Sequence, residues 1–151
     1  MSSLELVLKS IDHLEEEMKP KWGKMSCPQM LKHCNRFIKV YTNEVKFKPP
    51  ISLLSPIFGR LHIFWLRHVI RYNVNEYFKN LPTLKYFNTY RITNIDFNKE
   101  KEELSRRIKF VMEYKENHVS NTFHGRIKSK TFKDVVEFHT RYHLVQFGAI
   151  K

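Results

Sequence analysis

The stretch FKDVVEFHTRYHLVQFG, Phe132 to Gly148, decides how the rest of the chain is read. Wound as a helix at about 100° per residue, it gathers Phe132, Val135, Val136, Tyr142 and Phe147 on one apolar face. His139 and His143 fall in the middle of that face, one turn from each other, and Gln146 lies on the same arc. Lys133, Asp134, Glu137, Thr140 and Arg141 fall on the flank or the far side. Two imidazoles aimed into a core must each find a partner, since an unpaired buried polar group costs roughly 1–3 kcal/mol. Side chains at i and i+4 stand only about 5–6 Å apart at Cβ, so a single cation between the two rings is an economical answer.

A third ligand can be sought upstream, in PKWGKMSCPQMLKHC. Ser26 followed by Gln29 is a capping box, with Pro28 in the first turn where its missing N–H does no harm. The spacing predicts a helix from Cys27 to Val45, with Met30, Leu31, Cys34, Phe37, Ile38, Tyr41 and Val45 on its apolar arc. His33 lies inside that arc. Alone, it would read as a hydrogen-bonded core histidine. Joined to an inward HxxxH pair, it completes the pattern of three protein ligands that leaves a metal ion with open positions. Glu44 also points inward on this reading, but it stands three turns away and cannot share the ion.

Around these two segments the remaining chain is mostly helical by periodicity. Residues 4–18 carry a stripe of Leu4, Val7, Leu8, Ile11, Leu14 and Met18, ended by Pro20. His13 falls opposite that stripe and Glu15 at its solvated end. Pro49, Pro50, Pro56 and Gly59 predict a break, followed by a helix from Leu61 to Tyr72 with Leu61, Phe64, Trp65, His68 and Val69 on one side. LPTLKYFNTYRITNIDF, residues 81–97, reads as an irregular crossover. Residues 98–117 predict another helix, with Asp96 as N-cap and Leu104, Ile108, Val111 and Met112 buried. A polar loop with His118, His124 and Gly125 leads to the histidine helix, which starts at Thr131 or the basic residues before it and closes with Gly148 as its C′ residue. Four long amphipathic helices with one long connection describe an all-α four-helix bundle with a crossover, a single domain over residues 1–151.

Composition narrows the class further. A chain of 151 residues that is 42% apolar and 14% aromatic can bury a core and is not a disordered one. Cys27 and Cys34 read as free thiols, so an oxidising compartment is not implied. The N-terminus carries acids where a signal peptide needs a basic start, and ISLLSPIFGRLHIFWLRHVI is too interrupted to span a bilayer. The expectation is a cytoplasmic protein with no membrane partner. The net charge of +12 suits an anionic partner as well as an inert basic surface. Arg60, His62, Arg67, His68 and Arg71, with Phe64 and Trp65 between them, could meet phosphates and stack on bases, although no recognisable nucleic-acid motif accompanies them.

WGKMSCPQMLKHC at Trp22–Cys34, taken with FHTRYHLVQFG at Phe138–Gly148, resembles the DinB-like superfamily, the group that includes the bacillithiol-transferase-like proteins. Within it, the likeness is greatest to the branch called domain of unknown function 1569, which has an early WGKM…QMLxHC block and a terminal HxxxHLxQFG block. The resemblance runs end to end, although the middle third matches only in helical character. It implies a DinB-like four-helix bundle with a long crossover, and a divalent metal held by His33, His139 and His143. The branch's HPxFG loop is altered: His118 matches its histidine, Val119 replaces the proline, Ser120 to Thr122 are additional, and His124 separates Phe123 from Gly125. A small-molecule substrate, a low-molecular-weight thiol, thiol-transfer or hydrolase chemistry and a homodimer are what the resemblance implies. Imidazole ligands suit zinc, nickel or iron. Gln146 reads as an orienter of a ligating histidine, and Tyr142 as a packing aromatic more than a proton donor. Two alternatives stand beside a metalloenzyme: a basic nucleic-acid-binding module, and a non-catalytic assembly partner whose histidines are relics.

Overall fold

Side-chain caps open three of the five helices found among the described residues. Ser2 and Ser26 each form a capping box, with Glu5 and Gln29 respectively, and the Asp96 carboxylate accepts from Lys99 N–H. The computed structural model describes residues 2–150. In chain order these form α1 (Ser3–Asp12), α2 (Cys27–Tyr41), α3 (Ile51–His68), a 3₁₀ turn (Val74–Glu76), α4 (Phe97–Glu113), β1 (His118–Asn121), β2 (Gly125–Lys128) and α5 (Ser129–Gln146).

Helices α1, α2, α4 and α5 pack against one another. Between them lie Val7, Ile11, Met30, Leu31, Cys34, Ile38, Leu104, Ile108, Val111, Phe132, Val136 and Leu144, all nearly or fully buried. Helix α5 is the central member, touching the other three, both strands and the 3₁₀ turn. Its burial extends beyond the predicted face: Glu137 and Thr140, expected on the flank or far side, are buried. Their polar atoms are answered locally, Glu137 by Ser3 Oγ and by Arg141 one turn on, Thr140 by the Val136 carbonyl.

Helix ends differ from expectation for identifiable reasons. α1 stops at Asp12 rather than Met18. Glu15, Glu16 and Glu17 would put three carboxylates at the negative end of the helix dipole, and Lys101 Nζ instead caps the free carbonyls of Asp12 and Leu14 at 2.8 Å each. α2 ends at Tyr41, where Thr42 Oγ1 turns back on the Ile38 and Lys39 carbonyls and Asn43 adopts a left-handed φ of 58°. Glu44 is therefore exposed and bound by Arg107 at 2.6 Å, not turned inward. α4 ends at Glu113 rather than residue 117. The loop expected around His118 and His124 is a two-stranded antiparallel hairpin, with Val119 opposite Ile127 and both buried. Strands of four residues with one or two inward side chains leave too little alternation to be legible. The expectation of an all-helical fold is corrected to that extent.

Helix α3 departs furthest. It begins ten residues before the expected start, running through Pro56 and Gly59, and it stands outside the group of four. Its buried residues are Ser55, Gly59, Ile63 and Leu66, while Leu61, Phe64, His68 and Val69, grouped by sequence on one side, are exposed. Small residues explain the choice of face. Ser55 Oγ donates to the Thr122 carbonyl at 2.5 Å, and a Cβ on Gly59 would collide with the Phe123 carbonyl oxygen and the His124 ring. Gly59→Ala should therefore destabilise the protein by about 1–3 kcal/mol through overpacking, read as a lower urea midpoint; a midpoint equal to wild type would show that α3 does not seat on the hairpin turn.

Candidate metal centre

Three rings from two helices meet where α2 faces α5. The ring centroids of His33, His139 and His143 form a near-equilateral triangle with sides of 5.0, 4.8 and 4.8 Å. One nitrogen from each can be chosen so that all three lie within 4.8 Å of one another. The Nε2 atoms of His33 and His139 are 3.1 Å apart. A tetrahedral ion bonded at about 2.0–2.1 Å holds its nitrogens roughly 3.3–3.4 Å apart. The first pair already has that spacing, and the third ring needs only to close in.

The outward nitrogens decide which atoms face the centre. His33 Nδ1–H donates to the Phe87 carbonyl oxygen at 2.7 Å, and His143 Nδ1–H donates to Gln146 Oε1 at 2.8 Å. Both partners are pure acceptors, so in each neutral ring the proton sits on Nδ1 and the Nε2 lone pair points inward. Gln146 cannot flip, because its Nε2 donates to the Trp22 carbonyl at 2.6 Å. Gly23 makes room for this: its φ is +87°, and a Cβ there would lie 2.7 Å from Gln146 Nε2. His139 lies face-on against Phe37, centroids 3.8 Å apart, and its buried Nδ1 has no partner. The residues fit a cation well, two rings with fixed tautomers and a third free to present Nε2.

Electrostatics keeps the rings neutral. Burial holds His33 below the ordinary value of 6.5, pushes His143 down to about 3 and drives His139 well below 6.5, where the other two rings add mutual repulsion. Neutral imidazole is the form that binds a metal.

The triad opens onto a cleft of about 870 Å³, bounded on one side by the crossover segment from Tyr77 to Tyr90. That segment, although irregular, is stapled to α2. Gln29 Nε2 donates to the Tyr90 and Ile92 carbonyls, Thr89 Oγ1 to the Gln29 carbonyl, and Arg36 to the Tyr86 carbonyl. Among the described residues, no carboxylate lines the cleft. An apolar recess of about 370 Å³ beneath Ile51, Leu54 and Phe58 shares His62, Leu84 and Phe123 with it.

Other expectations are redistributed. Tyr142 is engaged in packing: its hydroxyl accepts from Trp22 Nε1 and donates to the Phe78 carbonyl. His118 is exposed and does not line the cleft. His124 is fully buried, hydrogen-bonded through Nδ1 to the Tyr41 hydroxyl, and burial pushes it down to about 3. His62, grouped by sequence with a basic surface strip, turns into the cleft and pairs with the Tyr77 hydroxyl at 3.1 Å. Trp65 stacks on Phe78, while Arg67 donates to Thr131 Oγ1. Of the strip grouped by sequence, Arg60, Phe64, Arg67, His68 and Arg71 are exposed, and His62 and Trp65 are half-buried. The Phe87 carbonyl, a backbone group, had no signal in the sequence at all.

No protein-family model matches this chain, and neither the comparison with curated proteins nor that with solved structures finds a match. The functional reading rests on the residues themselves. Among the described residues, no helix is long and apolar enough to cross a membrane.

Depressed histidines make the fold acid-sensitive. The unfolded chain takes up protons near pH 6.5 that the folded chain refuses, so stability is complete above that pH and is lost as pH falls below it. For His33, His124 and His143, each adds up to about 1.4 kcal/mol per pH unit. Urea midpoints in the presence of chelator should fall steeply from pH 7 to 5; a flat profile would contradict neutral burial. Gln146→Ala, which strands His143 Nδ1–H and the Trp22 carbonyl, should cost about 1–3 kcal/mol in the same assay.

Proposed function

We propose that this chain is a DinB-like helical-bundle protein that binds a divalent metal through His33, His139 and His143 and acts as a metal-dependent enzyme on a small molecule. Thiol transfer, with a low-molecular-weight thiol as one reactant, is the favoured chemistry, and metal-assisted hydrolysis the neighbouring one. A cytoplasmic setting suits the two buried free thiols, Cys27 and Cys34. The observation that carries the reading is the convergence of three imidazoles, two of them locked by pure acceptors so that their Nε2 lone pairs face one point.

Such a site suits zinc, nickel or iron. Three neutral ligands leave the ion its full charge, and when bound it would supply a Lewis acid able to lower the pKa of a thiol or water. The chain's own residues do the rest. Phe87, through its carbonyl, and Gln146 hold the rings in register. Phe37, Phe138 and Leu84 line an apolar wall that sheds water around an anionic nucleophile. His62 is the one imidazole of the cleft outside the triad, and burial keeps it below its ordinary value of 6.5. It is therefore unprotonated at neutral pH, with Nε2 available to take a proton once the Tyr77 hydroxyl rotates away.

Untagged protein should carry about one equivalent of a divalent transition metal by elemental analysis. His139→Ala and His143→Ala should each empty the site while the helical circular dichroism stays. Added zinc should raise the melting temperature of wild type and leave both variants unmoved. Metal-free wild type that takes up no zinc, nickel or iron would overturn the proposal.

A further inference from the structure

Helix α3 is apolar on two faces, and only one is used. Ten of the twelve large apolar side chains exposed among the described residues lie between Ile51 and Leu81. Leu53, Phe58 and Leu61 are 69%, 66% and 61% exposed, and Leu54, Ile57 and Phe64 are each more than half exposed. At 100° per residue, all of these fall within roughly 80° of Leu61, a continuous stripe opposite the face seated on the hairpin. A patch of this kind on a soluble surface marks a place where something else binds.

Charge indicates what covers it. From Lys46 to Asn75 the chain has Lys46, Lys48, Arg60, Arg67 and Arg71 and not one carboxylate. Arg60 lies about 100° from Leu61, along one edge of the stripe, and Arg67 about 120° away, where its guanidinium is held by Thr131 Oγ1. Apolar and aromatic side chains in the centre with long cations at the border are the arrangement of a helix lying in a membrane interface. Its apolar face sinks to the acyl boundary while the guanidinium groups reach headgroup phosphates. A second copy of the chain fits less well: it would set the same acid-free border against itself, on molecules of net charge +12. The interruptions at Pro56, Gly59 and Arg60 that prevent this stretch from spanning a bilayer do not prevent it from lying on one.

We infer that the outer face of α3 docks on an anionic lipid surface. The Leu54–Phe58 part of the stripe also borders the recess that joins the metal cleft, so docking turns that edge of the cleft towards lipid. Docking itself does not depend on a metal being bound.

Vesicle co-sedimentation of the full chain tests this directly. It should sediment with phosphatidylcholine vesicles containing about one third phosphatidylglycerol, release between 50 and about 500 mM salt, and ignore pure phosphatidylcholine. Leu53→Ser with Leu61→Ser should weaken partition at least tenfold with an unchanged melting curve, since both side chains are exposed. Arg60→Gln should weaken it about fivefold. Failure to bind anionic vesicles, or equal binding to both kinds, overturns the inference. So does a dimer in analytical ultracentrifugation that the double serine variant dissociates, because the face then belongs to a second copy.

Discussion

A carbonyl oxygen can only accept a hydrogen bond, and the arrangement at the triad follows from that. Because Phe87 O and Gln146 Oε1 take the outer Nδ1–H groups of His33 and His143, both inner nitrogens are forced to be lone pairs. Helices α2 and α5 bring the rings close, but two irregular segments fix their chemistry. The crossover delivers Phe87, held by the side chains of Gln29 and Arg36. The Trp22–Gly23 turn delivers the carbonyl that keeps Gln146 from flipping. Each lies outside the helices and strands, and each is pinned where it meets the site.

The distribution of charge follows the same logic. Carboxylates are answered outside the cleft: Glu100 by Lys32 and Asn35, Glu103 by Lys39 and Arg107, and Glu44 by Arg107, which holds it down to about 2. Among the described residues the cleft is lined by imidazole, phenol, amide, hydroxyl and apolar groups and by Lys24, and by no acid. A cation held there would be neutralised by nothing in the protein, so the compensating negative charge would have to come from what enters. That favours a ligand able to arrive as an anion, and it agrees with the basic surface of the chain.

Helix α3 shows how a strongly apolar segment can satisfy the core and still leave surface unspent. Its seat on the hairpin turn uses Ser55 and Gly59, small residues that let the helix come close, and Ile63 and Leu66 complete the buried face. Leu53, Leu54, Ile57, Phe58, Leu61 and Phe64 are turned out. A stripe of leucine, isoleucine and phenylalanine facing water is poorly explained by folding alone, and binding gives it a reason.

The sequence by itself determined the helices whose caps and periodicity agree, α2, α4 and α5, because those signals are local: Ser26 with Gln29, Asp96 before its acids, and Gly148 with φ +73° past the last turn. It also determined the inward direction of His33, His139 and His143, since a spacing of 3.6 residues per turn sets direction before any packing is known. Only the tertiary structure decided that the three rings meet, that α5 is enclosed on almost every side, and that a hairpin replaces the expected loop. It alone decided that α3 turns Ser55, Gly59, Ile63 and Leu66 inward and that His62 lines the cleft. These outcomes depend on which surfaces approach each other and how closely, and a helix apolar on two faces holds no local preference between them.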